Sequence, residues 1–128
     1  MTEHILEKKI YYHDTDTGGV VYYARYLNHL EEGRTEFLRS KGIDTAEYAR
    51  NGIMFPVVHL EVDYKASARY GDTIKILTSL EKVGNASAIF AQTIMRGDTL
   101  LIKAKIVWAC VDQNMKVKRV PEAIRNIS

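Results

Sequence analysis

Near residue 53 the apolar residues of this chain change period, from the 3.6 of a helix to the 2 of a strand. Before that point Leu27, Leu30, Arg34 and Leu38 recur at i, i+3, i+7 and i+11, with Tyr26, Leu30, Gly33 and Phe37 beside them. The spacing predicts a helix over 20–41, with Gly42 as its C-terminal stop and one or two further turns over 44–51 ended by Gly52. After it Val58, Leu60, Val62 and Tyr64 alternate with polar residues. The alternation continues over 73–83 and 86–95, and again through Ile102, Ala104, Ile106, Trp108 and Cys110, with Gly84-Asn85 and Gly97-Asp98 as turns. Residues 5–13 read as an imperfect further strand, and 121–127 as a short tail with a helical turn. A single apolar helix must bury its stripe, and only a sheet is available to cover it. The expected fold is α+β, an antiparallel sheet of about five strands wrapped around one long central helix. Gly33 costs about 1 kcal/mol against alanine inside a helix, so its presence implies close packing of the sheet there.

At 128 residues the chain makes one domain, 1–128, with one core. Its 18 basic and 16 acidic residues leave a charge of +2, which gives no footprint for nucleic acid. No apolar run approaches the roughly 20 residues of a membrane span, and the first nine residues lack the apolar stretch of a signal peptide. Cys110 is the sole cysteine, which excludes an intrachain disulfide and a cysteine zinc site and fits a reduced, cytoplasmic setting. It falls on the core-facing parity of its strand and reads as a buried thiol. Val107, Ala109 and Val111 fall on the opposite face, and such apolar residues away from the core predict pairing into a dimer or larger assembly.

The stretch Asp14-Thr-Asp16-Thr-Gly-Gly19-Val20-Val-Tyr22-Tyr23 carries the best candidate chemistry, as a turn-rich loop opening the helix. A helix start offers unpaired N–H groups to a carbonyl oxygen that becomes an oxyanion. A carboxylate beside it can attack that carbonyl or activate water against it. The same residues also make an ordinary N-cap and glycine turn, which requires no function. A calcium loop fails here, because Gly18 and Arg25 stand where oxygen ligands are needed. His4, His13, His29 and His59 show no zinc spacing, and no nucleophile elbow or phosphate-binding glycine pattern occurs. Glu31, Glu32 and Glu36 read first as solvated partners of Arg34 and Arg39, although Glu31 lies close enough to the apolar stripe to support a site at the helix start. Lys116, Lys118 and Arg119 read as a solvated edge that matters only for a phosphorylated ligand.

Tyr12-His-Asp14-Thr-Asp16-Thr-Gly-Gly-Val-Val-Tyr22, followed by Ala24-Arg-Tyr26-Leu27 and Glu31-x-x-Arg34-x-Glu36, resembles the hotdog-fold thioesterases. Within them the chain is similar to the 4-hydroxybenzoyl-CoA thioesterase family, and most to bacterial acyl-CoA thioesterases of the Tol–Pal cluster type. Val62-Asp-Tyr64, Gly71-Asp72, Phe90-x-Gln92 and Val111-Asp112 extend the resemblance over nearly the whole chain. It implies an acyl-CoA thioesterase without a metal or redox cofactor, working as a homodimer or homotetramer whose sheets join. It implies Asp16 as catalytic carboxylate, nucleophile or general base, and the Tyr23 backbone N–H as the group that polarises the thioester carbonyl. Gly19 and Val20 would shape the pocket loop, and Asp14 would be a supporting cap. The chain departs from the family pattern at Tyr23, where relatives often carry His, and at Ser67, where they often carry Pro. Arg69 and Lys118 are candidates for contact with CoA phosphates or an acidic acyl carrier protein. Hotdog folds also serve as non-catalytic binding modules, so an acyl-thioester sensor or a carrier-protein interaction module is the alternative.

Overall fold

The computed structural model describes residues 3–127. Strand β1 (Glu3–Lys9) leads through a 3-10 turn at Tyr12–Asp14 and a loop into helix α1 (Arg25–Ser40). Helix α2 (Thr45–Arg50) and strand β2 (Ile53–Met54) follow. The long strands are β3 (Val57–Tyr64), β4 (Thr73–Val83), β5 (Ser87–Arg96) and β6 (Thr99–Ala109). Strand β7 (Val111–Asp112) and helix α3 (Glu122–Arg125) end the chain. Five strands form one antiparallel sheet in the order β1-β4-β5-β6-β3, and β2 pairs with β7 separately.

Alternation decides which face of the sheet meets the helix. Ile74, Ile76 and Thr78 of β4, Phe90, Gln92 and Ile94 of β5, and Ile102, Ile106 and Trp108 of β6 are all buried. Against them α1 buries Tyr26, His29, Leu30, Gly33, Arg34, Phe37 and Leu38. A Cβ on Gly33 would lie 2.5 Å from Ile76 Cγ2, 3.0 Å from Thr78 Oγ1 and 3.1 Å from Gln92 Nε2. The close packing expected at Gly33 is therefore present. It lets Gln92 Nε2 donate to the Leu30 carbonyl and to Thr78 Oγ1, both at 2.9 Å, so the sheet is tied to the helix backbone. Gly42 takes a left-handed φ of 76° just past α1, and Asp44 caps α2 by accepting from the Ala46 N–H at 2.9 Å.

Three expectations need correction. Helix α1 begins at Arg25, five residues later than Val20. Val20 and Val21 are extended, because Val21 donates to the Ala68 carbonyl at 2.9 Å and both residues make isolated β-bridges. Paired β-branched residues favour that backbone. The first strand ends at Lys9 rather than His13, since Ile10 turns away to exchange bonds with Asp72 and Gly71. Val111 is buried on β7, and Val107 and Ala109 are half-buried, so these three are not the open apolar surface. The open surface is β3 instead, an edge strand with Val57, Val58, Leu60 and Tyr64 exposed. Among the described residues no helix is long and apolar enough to cross a membrane.

Candidate active site

The loop before α1 is a small hairpin. The Tyr22 N–H donates to the Asp14 carbonyl, Thr15 bridges to Val21, and the Asp16 N–H donates to the Val20 carbonyl at 2.9 Å. Gly19 closes the turn at φ 79°, a conformation that favours glycine, and its N–H donates to the Asp16 carbonyl at 3.0 Å. The Asp16 carboxylate accepts from the Gly18 N–H at 2.8 Å and is exposed. A Cβ on Gly18 would stand 3.1 Å from that carboxylate, so the glycine keeps the space beside it open.

Asp16 borders two clefts. One, of about 340 Å³, is shared with Val20, Val21, Tyr23, Tyr26 and Tyr64 on the side of α1. The other, of about 690 Å³, lies under Tyr11, Tyr12, His13 and Tyr70. The start of α1 has no side-chain cap, its N-cap position being Ala24, and its first turn carries no acidic residue. Among the described residues the Tyr23 N–H meets no acceptor. Tyr23 lies two residues before the helix, in the turn that leads into it. A carboxylate and an uncapped helix start therefore face one cleft, the arrangement that carbonyl chemistry needs.

Asp14 has a different environment. It is 1% exposed and accepts from the Tyr11 N–H at 2.9 Å and from Arg25 Nη2 at 3.0 Å. Burial alone would raise its pKa, but the Tyr11 N–H and Arg25, with His29 and His13 nearby, hold it below the usual carboxylate value. Its carbonyl also fixes the far end of the hairpin at Tyr22. Asp14 thus braces the loop from beneath, while Asp16 stands at its surface.

Sequence reasoning named Tyr26 and Tyr64 but did not foresee their contacts here. Tyr64 of β3 donates its hydroxyl to the Tyr23 carbonyl at 3.1 Å, and Tyr26 accepts from the Ala68 N–H at 2.9 Å. Both contacts join residues about forty positions apart, for which no local pattern exists. His29 is buried between Asp14 (3.6 Å) and Glu32 (3.5 Å), with neither ring nitrogen in a good hydrogen bond. Its position beside Leu30 on the stripe was the available signal.

The remaining candidates separate. Arg69 bridges to Val20, and its guanidinium lies 3.6 Å from where a Gly19 Cβ would be. Lys118 donates its N–H to the Cys110 carbonyl, near the Val83 end of β4. Arg69 is at the Thr73 end, and an eleven-residue strand spans about 35 Å, so one chain does not bring these two together. Glu31 does not support the helix start either. It lies in a separate groove of about 430 Å³ with Arg34, Thr35, Val57 and Trp108. Among the described residues no cluster of metal-ligating side chains occurs.

The chain is similar to known proteins over most of its length. Residues 11–127 match the model of the thioesterase-like superfamily. An acyl-CoA thioesterase YbgC of Haemophilus influenzae is 37% identical over 119 residues, covering 91% of this chain and 88% of the relative. An acyl-CoA thioester hydrolase YbgC of Escherichia coli is 36% identical over 118 residues, with the same coverage of both chains. The crystal structure of a probable thioesterase from Bartonella henselae superposes with a TM-score of 0.90 at 32% identity, covering 94% of this chain and all of that one. The helix cradled by a five-stranded antiparallel sheet is the hotdog fold, and the chain belongs to the thioesterase-like superfamily.

Proposed function

We propose that the protein hydrolyses acyl-CoA thioesters to CoA and the free acid. The observation that carries this reading is that Asp16 and Tyr23 line one cleft at an uncapped helix start. The carbonyl oxygen is held by the Tyr23 N–H, and charge developing on it is stabilised by that donor and the helix dipole. Asp16 either attacks the carbon, expelling the thiolate and leaving an anhydride that water cleaves, or takes a proton from the attacking water. On both routes one water is consumed, the C–S bond breaks, and the thiolate leaves to be protonated. The chemistry draws on no metal or redox cofactor. With Tyr23 in place of the family's frequent histidine, no imidazole takes part at that position. The relatives' names support acyl-CoA as the substrate class, and exposed Arg69 beside Gly19 is the candidate for its phosphates. An acyl carrier protein presents the same thioester and is an alternative donor. We place the enzyme in the reduced cytoplasm, as a homodimer joined through the open β3 edge or a tetramer built from such dimers.

The test is thiol release from a panel of short, long and aromatic acyl-CoAs. The wild-type protein is expected to turn over at least one class, and Asp16→Asn to lower kcat by about 10²-fold or more with unchanged thermal unfolding. Binding without release of CoA by the wild type would favour a sensor. An undiminished rate in Asp16→Asn would remove that residue from the mechanism.

A further inference from the structure

His29 is a buried titratable group that the hydrolysis above does not use. It is 1% exposed, with Nε2 3.6 Å from Asp14 Oδ1 and Nδ1 3.5 Å from Glu32 Oε1. Among the described residues neither nitrogen completes a hydrogen bond. A neutral imidazole carries one N–H and one lone pair, whereas an ionised carboxylate only accepts. One of the two gaps therefore always sets a lone pair against a carboxylate. Only the imidazolium, with an N–H on each nitrogen, donates to both.

Lys8 of β1 pairs with Glu32 on the far side of that carboxylate. Arg25 of α1 donates from Nη2 to Asp14 Oδ1 at 3.0 Å, and His13 Nε2 lies 3.7 Å from the same oxygen. The β4 residues turned to the helix, Ile74, Ile76 and Thr78, carry no charge. Burial and the Lys8 charge outweigh the two carboxylates and hold the His29 pKa below its ordinary 6.5, so the ring is neutral at pH 7.5 and takes a proton from solvent in acid.

Asp14 passes any movement on to the site. Its Oδ2 accepts from the Tyr11 N–H and its carbonyl from the Tyr22 N–H, both at 2.9 Å. Tyr23, the candidate donor to the thioester carbonyl, is the next residue, and Asp16 lies two positions from Asp14 on the same hairpin. A charge-assisted N–H···O bond closes to about 2.9 Å or less, so charging the ring draws Asp14 towards His29 by about 0.7 Å. Shifts approaching about 1 Å in reacting groups can slow chemistry by about 10²-fold while the fold persists.

We propose that His29 is a positioning residue for the catalytic hairpin, and that a proton bound between Asp14 and Glu32 draws Asp16 and the Tyr22–Tyr23 peptide out of their working arrangement. Acid then turns the enzyme down before it unfolds it. The inference rests on the thioesterase reading of this site and adds its regulation.

The experiment follows two readouts from pH 7.5 to 5.5, with circular dichroism confirming that the protein stays folded. Nuclear magnetic resonance tracks the His29 ring nitrogens together with the Gly18, Gly19 and Tyr23 amides. Thiol release on an acyl-CoA that the wild type hydrolyses gives kcat and KM. In the wild type the amides are expected to shift with the same midpoint as the ring, and kcat to fall several-fold at that midpoint with little change in KM. His29→Gln, compared with its own rate at pH 7.5, is expected to lose both the inflection and the amide shifts, and His13→Gln to keep them. Should His29→Gln fail to fold, exposed Glu32→Gln provides the second variant. Losing that carboxylate removes a charge that favours the imidazolium, so both midpoints should move to lower pH. A ring that titrates while the amides stay still, an inflection that persists in His29→Gln or vanishes in His13→Gln, or midpoints unmoved in Glu32→Gln overturns the proposal. Absence of thiol release at every pH removes the thioesterase reading, and the amide titration alone then decides whether His29 moves the hairpin.

Discussion

Gly33 and Ile76 approach so closely that a Cβ on the helix residue would lie 2.5 Å from the isoleucine Cγ2. At this point helix α1 sits nearer to β4 than a residue bearing a Cβ would allow, and the buried Gln92 bonds lie at the same contact. Gly33→Ala gains about 1 kcal/mol in helix propensity but overpacks a rigid sheet, at a cost of about 1–3 kcal/mol. Because three atoms on two strands would have to move, we expect a net loss of about 1–2 kcal/mol. Urea unfolding measures it, and equal or greater stability would mean that β4 yields freely.

Acid should destabilise the protein in two stages. Burial and the Lys8 charge hold the His29 pKa below its ordinary 6.5, despite Asp14 and Glu32. The unfolded chain therefore takes up this proton first, and stability falls as pH drops from about 6.5 towards the folded value. Asp14 and Glu32 have lowered pKa values, so their contributions are present at higher pH and fade only below the ordinary carboxylate range. Urea midpoints at pH 7.5 and 5.5 should differ in the wild type and differ less in His29→Gln. An equal pH response in the two proteins would contradict the assignment.

Tyr64→Phe removes the hydroxyl that holds the Tyr23 carbonyl while keeping the ring packed on Tyr26. If that bond steadies the peptide at the helix start, kcat should fall several-fold with little change in KM, because the interaction matters most as charge develops. A change confined to KM would place Tyr64 in ground-state binding instead.

Cys110 is 1% exposed, and burial raises its thiol pKa. The native protein should react with a thiol reagent only as fast as it opens, and the denatured chain should react at once. Rapid labelling of native protein would place the thiol at the surface.

Much of the fold was legible because it depends on side-chain period. The stripe through Leu30 and Phe37 and the alternation from Ile74 to Trp108 placed α1 and the sheet, and Gly33 signalled their contact. The start of α1 was misplaced because Val20 and Val21 took strand-like bonds from Ala68, Asp16 and Thr15, partners invisible to a local pattern. The turn that carries Asp16 was legible from its loop motif, whereas the bonds of Tyr64 and Tyr26 were not, since they join residues about forty positions apart.

The sequence by itself determined one helix, a set of amphipathic strands and a loop rich in aspartate and glycine. Those features follow from the period of apolar residues and from which backbone angles glycine permits. Tertiary structure decided that Asp14 lies beneath the loop and Asp16 on it, and that Glu31 belongs to a different groove from the catalytic candidates. It also decided that Arg34 is buried, with Gln92 of β5 accepting its hydrogen bond. Each of these depends on which distant surfaces meet, because burial and charge compensation are properties of the packed chain and not of neighbours in sequence.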